Sequence, residues 1–415
     1  MPPLESDSND APERHDRNDD RPPLVARLFF CGDGATDRLA NRSSNARPPT
    51  AGFFVSGDFM TQVLAFSPEV GSERQLEDSG VEKAIVRLLD GGDLDRSDAR
   101  ALFSRIVEGS LGEPLMAAAF VALRVKGETG EELTGAALAL RDAARFFPTP
   151  SYLFADSCGT GGDFSGSINV STAAALVSAA CGLPIIKHGN RSFTSKCGSA
   201  DVLEALGARL DLTPLESREI LDRTGFCFLL APLYHPGIAH AGPVRRALKV
   251  RTIMNLLGPC LNPARPRIQL LGVADPKLLR PIAETLRSLG VERALVVHGS
   301  GLDEVAIHGF TKAILLSGGD FEEMEITPEQ AGLRRLPIES IVGGTPLENA
   351  IRLTRVLGGQ TREADSSVVA LNAGALLMTA GHANDLRTGV AMALDAMVSG
   401  RAKDRLDQFI EASRG

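Results

Sequence analysis

The residues of this chain with the clearest potential for chemistry lie in two glycine-containing turns between positions 156 and 207. The first, which we call the glycine loop, is residues 159–163 and reads GTGGD. Glycine lacks a Cβ and tolerates positive φ, so such a loop can bring its backbone N–H groups close to an anion. The second, the basic turn, is residues 187–192 and reads KHGNRS. Together the two turns suit a ligand that carries two separated phosphate groups.

Each turn follows a short apolar segment and precedes a helix. The apolar segments are residues 152–155 and 183–186, and the first helix has Ser171 or Thr172 at its expected N-cap. The second helix is expected to begin near Ser199. Successive strand-to-helix junctions face the carboxyl edge of a parallel sheet, where ligands of open α/β folds bind, and helix N-termini attract anions. The sequence therefore predicts one anion site built from both junctions.

The glycine loop taken alone is a weak signal, because such a sequence is more often a plain turn. It is neither a P-loop nor a spaced G-x-G-x-x-G fingerprint. The basic turn changes this interpretation, since Lys, His, Asn and Arg all occur within residues 187–191 at the end of a strand-like segment. Packing does not explain that combination, and we interpret the two turns together as functional.

Two adjacent carboxylates, Asp303 and Glu304, come after another apolar segment that ends at His298. Acidic pairs are common on protein surfaces, and this pair by itself would indicate no more than that. Beside a phosphate site it gains a role, because hard oxygen ligands suit Mg²⁺, which usually bridges to substrate phosphates. His298 is expected to be structural.

The whole chain indicates an α/β fold with a small N-terminal helical domain and a larger domain whose mostly parallel sheet is covered by helices. Residues 1–72 are rich in Asp, Asn, Arg, Ser and Pro and are predicted to be a disordered extension, with Met60 as a candidate true start. Residues 73–148 are predicted to form the small helical domain, in which Asp95 or Ser97 caps the second helix. Residues 149–415 are predicted to form the α/β domain.

Strands and helices are predicted at the following positions. Strands are expected at residues 152–155, 183–186, 226–230, 268–273, 294–297 and 313–316. Helices that return to cover the sheet are expected at residues 346–357, 365–380, 384–399 and 401–412.

Composition excludes several classes of protein. The 44 Lys and Arg residues against 52 Asp and Glu give a net charge of −8, which argues against a nonspecific nucleic-acid binder. The six cysteines include no C-x-x-C pair, so neither a disulfide framework nor a zinc site is indicated, and a reducing cytoplasm suits them. No apolar run approaches transmembrane length, so no membrane partner is expected.

The motifs resemble those of the anthranilate phosphoribosyltransferase family. GTGGD, N-x-S-T and KHGNRS occur in the family's order and spacing, and further matches are HPGIAHAGPVRRALKVRTIMNLLGPCLNPARP at 235–266 and VVHGSGLDE at 296–304. The resemblance covers roughly residue 75 to the end of the chain. It implies transfer of the phosphoribosyl group from 5-phosphoribosyl 1-pyrophosphate (PRPP) to anthranilate, in tryptophan biosynthesis. It also implies Mg²⁺, a cytoplasmic homodimer formed through the small domain, and packing of part of residues 235–257 on that domain.

The resemblance assigns roles residue by residue. PRPP contacts are expected at Gly159, Gly162, Asp163, Ser167, Asn169, Val170, Ser171, Thr172, Lys187, His188, Gly189, Asn190, Arg191, Ser192, Phe193, Thr194, Ser195 and Ser199. Anthranilate contacts are expected at Gly159, Asn190 and Arg245, and metal contacts at Ser171, Asp303 and Glu304. No acid or base is assigned; Lys187, His188 and Asn190 are expected to act by charge and by positioning.

Three positions depart from the family pattern. Phe164 replaces a glycine that usually follows GTGGD, Cys197 replaces a common serine, and Lys249 stands where L-G-x-R-T has glycine. None of the three removes an expected contact residue.

Two other functions stay open. Pyrimidine nucleoside phosphorylases share KHGNR and use phosphate as acceptor, although GTGGD and Arg245 favour the anthranilate enzyme. A noncatalytic, nucleic-acid-binding relative of the same fold would have a basic groove and a degraded basic turn or acidic pair, whereas both motifs are intact here.

Overall fold

The computed structural model describes residues 72–192, 196–360 and 362–415. The predicted disordered extension, apart from its last residue, lies outside these ranges, as do Met60 and the predicted contacts Phe193, Thr194 and Ser195. Within the described residues, no helix is long and apolar enough to cross a membrane.

Four helices form the N-terminal part of the described chain: α1 (Ser72–Leu89), α2 (Arg96–Val107), α3 (Glu113–Lys126) and α4 (Gly130–Asp142). Asp95 is the N-cap of α2, and its carboxylate accepts a hydrogen bond from the Asp98 N–H at 2.9 Å, which is one of the two caps that the sequence predicts. A capping box between Thr129 and Glu132 starts α4. The buried faces of these helices share one apolar core with Ala241 and Val244. Residues 235–257 therefore pack against the helical part of the chain.

The remaining chain builds one seven-stranded sheet in the order β3-β2-β1-β4-β5-β6-β7. The strands are β1 (Ala155–Gly159), β2 (Ile185–Gly189), β3 (Phe226–Leu230), β4 (Ile268–Gly272), β5 (Arg293–His298), β6 (Thr311–Ser317) and β7 (Asp320–Ile326). Neighbours among β1 to β5 are parallel, whereas β5–β6 and β6–β7 are antiparallel. The strand order reverses at β1 and β4, and this switch point is where ligands of open α/β sheets bind.

Helices cover both faces of the sheet. In chain order they are α5 (Val170–Ala180), α6 (Ser199–Ala205), α7 (Pro214–Thr224), α8 (Ala231–Tyr234), α9 (Gly242–Leu248), α10 (Ile253–Leu257), α11 (Leu279–Ser288), α12 (Pro346–Leu357), α13 (Glu363–Ala380), α14 (Leu386–Val398) and α15 (Arg401–Arg414). Short 3₁₀ turns occupy Pro236–Ala241, Gly258–Cys260, Pro276–Leu278 and Ile338–Ile341. The long helix α13 is buried on most of its surface, because it packs against the sheet and against α5 and α14.

The observed architecture is the predicted one, with three local corrections. The first strand was expected at residues 152–155 but begins at Ala155, so Gly159 ends the strand and also begins the glycine loop. The second strand was expected at residues 183–186 but spans Ile185–Gly189, so the basic turn begins within β2. The edge strand β7 was not predicted, because its sequence DFEEMEI is acidic and mostly exposed. The domain boundaries at residues 72 and 148 stay a prediction.

Candidate active site

A cavity of about 410 Å³ lies at the carboxyl edge of the sheet, where β1, β2 and β5 end. All the predicted contact residues that the structure describes line it: Gly159, Gly162, Asp163, Ser167, Asn169, Val170, Ser171, Thr172, Lys187, His188, Gly189, Asn190, Arg191, Ser192, Ser199, Arg245, Asp303 and Glu304. The structure thus brings together residues that are up to 145 positions apart, between Gly159 and Glu304.

The glycine loop packs directly against the acidic pair. Gly159 pairs with Gly272 in the neighbouring strand β4, and both glycines lie against Asp303. A Cβ on Gly159 would come within 2.3 Å of Asp303 Oδ2, and one on Gly272 within 1.6 Å of the Asp303 carbonyl oxygen. The Gly161 N–H, two residues further along the loop, donates to Asp303 Oδ2 at 2.6 Å. Larger residues at these glycines would push the acidic pair away from the loop.

Arg251 holds the other side of the glycine loop. Its guanidinium donates to the carbonyl oxygens of Gly161 and Gly162, at 2.8 and 3.0 Å. The sequence analysis missed this residue, although Arg251 belongs to the matched segment 235–266 and a conspicuous arginine-threonine pair marks it. No pattern in the sequence shows that its partners lie 89 and 90 positions away.

The helix after the glycine loop begins earlier than predicted. Asn169, and neither Ser171 nor Thr172, is the N-cap of α5, and its side chain makes no capping bond. The Asn169 amide instead donates to the Cys197 carbonyl at 3.2 Å and accepts from the Asn349 amide at 3.0 Å. Asn349 is buried near the start of α12 and was not singled out from the sequence. This network joins the start of α5 to the loop that leads into α6.

Lys187 lies beneath the cavity floor. It is only 2% exposed, and its ammonium donates to the Ser157 carbonyl and, at 3.3 Å, to the Ser171 hydroxyl. Asp156, fully buried on β1, provides a nearby opposite charge. Burial raises the pKa of Asp156 to about 6, although Lys187 pulls it downward. The lysine therefore adds positive charge from below the two turns, within a polar cluster that Asn262 completes through a 2.9 Å bond to Asp156.

The basic turn is held by its own neighbours in the sequence. Asp201 accepts from the N–H groups of Ser192 and Gly198, at 2.9 and 2.8 Å. The Ser199 hydroxyl donates to the Asn190 carbonyl at 3.2 Å. The Arg191 guanidinium lies in an exposed ion pair with Glu204, so contact between that guanidinium and a ligand requires this pair to open.

The acidic pair is half-buried close to a third carboxylate, Asp163. Burial is the main cause that raises the pKa of both Asp303 and Glu304, and the negative charges of Asp163 and Asp303 add to it. Glu304 accepts from the Ser171 N–H at 3.2 Å, which places it beside the third predicted metal contact. Within the described residues, no three His, Cys, Asp or Glu side chains form a ready-made metal site. Two half-buried carboxylates and a hydroxyl fit Mg²⁺ when substrate phosphates complete its coordination.

Arg245 and two histidines, His188 and His235, also line the cavity. Arg245 projects from α9 and is partly buried, which lowers the pKa of its guanidinium. Burial, together with His235, lowers the pKa of His188 to about 3, and the two rings are 5.2 Å apart. A neutral His188 lacks the acidic proton of an imidazolium near pH 7, and at this pKa it is too weak a base to take one up. His298 lies elsewhere, with its ring bonded to the Val273 carbonyl at 2.9 Å.

Two of the three unusual residues occupy glycine-like conformations. Phe164 has φ of 58° and is 80% exposed, and Lys249 has φ of 52° as the residue that ends α9. Glycine, which the family pattern has at both positions, would adopt these positive angles without strain. Cys197 is buried, and its thiol contacts the Asn169 Oδ1 atom at 3.4 Å.

Comparisons with known proteins agree with this geometry. Residues 82–144 match the helical bundle domain of a glycosyl transferase family, and residues 151–403 match its a/b domain. Anthranilate phosphoribosyltransferase from Sorangium cellulosum is 54% identical over 80% of this chain and 95% of its own. The chain belongs to the anthranilate phosphoribosyltransferase family. The predicted family, fold class and enzyme class are confirmed.

Solved structures of anthranilate phosphoribosyltransferases have the same fold. The enzyme from Thermus thermophilus is 40% identical, with a TM-score of 0.76 over 81% of this chain and 99% of that one. The Saccharomyces cerevisiae enzyme, solved in complex with PRPP and Mg, is 26% identical, with a TM-score of 0.74 over 81% of this chain and 98% of that one.

Proposed function

We propose that this protein transfers the 5-phosphoribosyl group from PRPP to anthranilate, giving N-(5-phosphoribosyl)anthranilate and pyrophosphate in tryptophan biosynthesis. The observation that carries this proposal is the convergence of the glycine loop, the basic turn, the acidic pair and Arg245 on one cavity. PRPP has phosphate groups at both ends of a ribose, which suits two strand-to-helix junctions. Arg245 provides a separate cation for the acceptor's carboxylate.

The donor's phosphates are assigned to the two turns and the helix N-termini behind them. The contacts are those predicted above, chiefly Gly162, Asp163, Asn169, Thr172, Lys187 and Ser199. Departure of pyrophosphate from ribose C1 runs ahead of attack, so positive charge develops on the sugar and negative charge on the leaving group. Backbone N–H groups and Lys187 stabilise the leaving charge because the fold holds them in place before the reaction.

The acidic residues would hold Mg²⁺ through Asp303 and Glu304, with Ser171 as a further oxygen ligand. When bound, the ion neutralises charge on the departing pyrophosphate. The protein's own share is to keep the carboxylates beside the glycine loop, which the contact between Asp303 and the Gly161 N–H achieves.

The acceptor needs orientation more than activation. A guanidinium matches a carboxylate in bidentate geometry, so Arg245 is assigned to the anthranilate carboxylate. Asn190 and the Gly159 backbone complete the acceptor contacts, and they line the same cavity. The anthranilate amine attacks an electron-poor carbon, so no strong base is required, in keeping with a neutral His188.

An assay of anthranilate fluorescence with PRPP and Mg²⁺ tests the proposal, with thymidine phosphorolysis measured in parallel. We expect PRPP-dependent loss of fluorescence and no phosphorolysis. Phosphorolysis without consumption of anthranilate would favour the nucleoside phosphorylase, and neither reaction together with RNA or DNA binding would favour the noncatalytic relative.

We also propose that the protein is a homodimer that assembles through its helical part. Apolar side chains are exposed there on α1 and α3, including Val86 at 51%, Leu89 at 53% and Val125 at 81%. A second copy would cover them. Light scattering at micromolar concentration should give twice the chain mass, and Val125→Glu should shift that mass toward a monomer, whereas Val398→Glu on the exposed end of α14 should not. A monomeric wild-type protein would contradict the proposal.

A cytoplasmic location is proposed for the same enzyme. Cys158, Cys181, Cys227 and Cys260 are free thiols, and Cys197, Cys227 and Cys260 are buried, as suits a reducing compartment. Fractionation of the source cells checks this location. Mass spectrometry of the native protein would show whether it begins before Met60.

A further inference from the structure

Both Arg251 and the glycines of the loop contribute to the contact between them. The guanidinium donates to two successive carbonyl oxygens, of Gly161 and Gly162, at 2.8 and 3.0 Å. Both glycines have positive φ, 69° and 77°. A Cβ on Gly162 would lie 2.8 Å from the Arg251 Cζ atom, so a side chain there would displace the guanidinium. Gly162 therefore serves a close approach as well as a turn.

Peptide geometry transmits this contact to the ligand side of the loop. In a trans peptide the C=O and N–H groups point in opposite directions. The Gly161 carbonyl shares a peptide with the Gly162 N–H, and the Gly162 carbonyl shares one with the Asp163 N–H. When Arg251 holds both carbonyls, both N–H groups must face away from it. Among the described residues, neither N–H group has a protein acceptor, and both residues line the cavity.

Arg251 is itself firmly placed. It lies between Val244 and Ile253, which are buried in the core shared with the helical part of the chain. The next residue, Thr252, donates its N–H to the Asn255 side chain at 3.1 Å and begins α10. The same segment carries Arg245 on α9. One segment of the chain thus carries both Arg245, the assigned contact for anthranilate, and Arg251, which holds the glycine loop.

We infer that Arg251 is a positioning residue for the phosphoribosyl donor: it fixes the glycine-loop peptides so that the Gly162 and Asp163 N–H groups face the pyrophosphate oxygens. Without it, glycine peptides at positive φ rotate with little resistance, and the two donors lose their common direction. The inference rests on the proposed function, since it assumes that PRPP occupies this cavity.

The test compares Arg251→Ala and Arg251→Lys with Arg246→Ala, a control that removes an exposed arginine of α9 outside the cavity. Calorimetry measures the dissociation constants of PRPP and of pyrophosphate with Mg²⁺, and steady-state kinetics measures KM for each substrate. For Arg251→Ala we expect the dissociation constants of both ligands to rise about ten-fold. This is the change in affinity that the loss of one charge-assisted hydrogen bond causes. The KM for anthranilate at saturating PRPP should change less than two-fold.

The lysine variant separates positioning from direct charge contact. A lysine keeps the charge but not the two-pronged geometry, so Arg251→Lys should bind nearly as weakly as Arg251→Ala. Added guanidinium ion should restore part of the affinity of Arg251→Ala. Thermal melts confirm that each variant is folded. If Arg251→Ala does not fold, the affinities of Arg251→Lys for PRPP and pyrophosphate test the inference by themselves.

Three results would overturn the inference while wild-type turnover stands: unchanged pyrophosphate affinity in both variants, wild-type affinity in Arg251→Lys, or a rise in the anthranilate KM alone. A wild-type enzyme that consumes no anthranilate would instead refute the proposed function. Pyrophosphate calorimetry requires no turnover, so the two failures are distinguishable.

Discussion

The glycine loop and the basic turn follow neighbouring parallel strands, yet the chain holds them in different ways. The glycine loop is tied by Arg251 and Asp303, which lie 90 and 142 positions from Gly161. The basic turn is tied by Asp201 and Ser199, each nine positions from its partner. One turn therefore depends on the assembled fold, whereas the other is organised by its own helix start. Substitutions around the two turns should separate these modes of support.

The largest effect is expected where the glycine loop meets the metal contacts. Asp303→Asn combined with Glu304→Gln should abolish most turnover, because the amides neither hold Mg²⁺ nor neutralise it. The fold should survive, since both replacements keep the shape of the side chains. Turnover measured across a Mg²⁺ titration, with circular dichroism for folding, checks this. Unchanged activity with unchanged Mg²⁺ dependence would refute the metal assignment.

The next effect separates the two substrates. Arg245→Ala removes a charge-assisted contact of roughly 1.5–3 kcal/mol, so anthranilate usage should fall about ten-fold or more while PRPP affinity hardly changes. Lys187→Ala should show the reverse pattern, with weaker PRPP binding. Arg245→Lys keeps the positive charge but loses the bidentate geometry of the guanidinium, so it should restore little of the lost use of anthranilate. Separate measurements of KM for anthranilate and for PRPP test this prediction. If Arg245→Ala bound PRPP more weakly but used anthranilate normally, the proposed orientation of the two substrates would be reversed.

A smaller effect tests the local support of the basic turn. Asp201→Ala removes the carboxylate that accepts from the Ser192 and Gly198 N–H groups, so PRPP affinity should fall several-fold, by about 1 kcal/mol. Asp201→Asn keeps an oxygen at the same place and should lose less. Glu204→Ala is the control on the same helix, because loss of its exposed ion pair frees the Arg191 guanidinium for the ligand and should not weaken PRPP binding. Calorimetry with PRPP should rank them in that order, and equal affinities in all three would show that the turn needs no local support.

The same contrast shows how far the sequence could predict the structure. Strand β3 and helix α12 begin and end where the pattern places them, since each is a short apolar or amphipathic segment bounded by clear breakers. The site residues of the basic turn also lie close together in the chain. Arg251 and Asn349 could not be found in this way, because their roles depend on partners 90 and 180 positions away.

Two local predictions were wrong, and only the first had an overlooked signal in the sequence. The edge strand β7 follows β6 through Gly318 and Gly319, and a Gly-Gly pair between two strand-like segments is typical of a tight hairpin. The N-cap of α5 was placed on Ser171 or Thr172 because hydroxyls are good caps, but tertiary contacts of Asn169 with Asn349 and Cys197 decide where the helix begins.

The smallest expected effect concerns backbone strain at Lys249 and Phe164, two residues with positive φ. Lys249 ends α9 with φ of 52° and Phe164 follows the glycine loop with φ of 58°, angles that glycine adopts without a Cβ penalty. Relief of that strain in the folded state competes with the greater freedom that glycine gives the unfolded chain. The strain of a residue other than Gly, Asn or Asp in this region is of order 1 kcal/mol or more, so relief should win by about 0.5 kcal/mol at each site. Lys249→Gly and Phe164→Gly should therefore each raise the free energy of unfolding slightly in urea, and Lys249→Ala, which keeps the Cβ, should not. Lys249 precedes Arg251 by two positions, so Lys249→Gly also tests what holds Arg251 against the glycine loop. If α10 and the buried core hold Arg251 in place, and not the backbone angle at Lys249, the PRPP affinity of this variant should stay within two-fold of wild type.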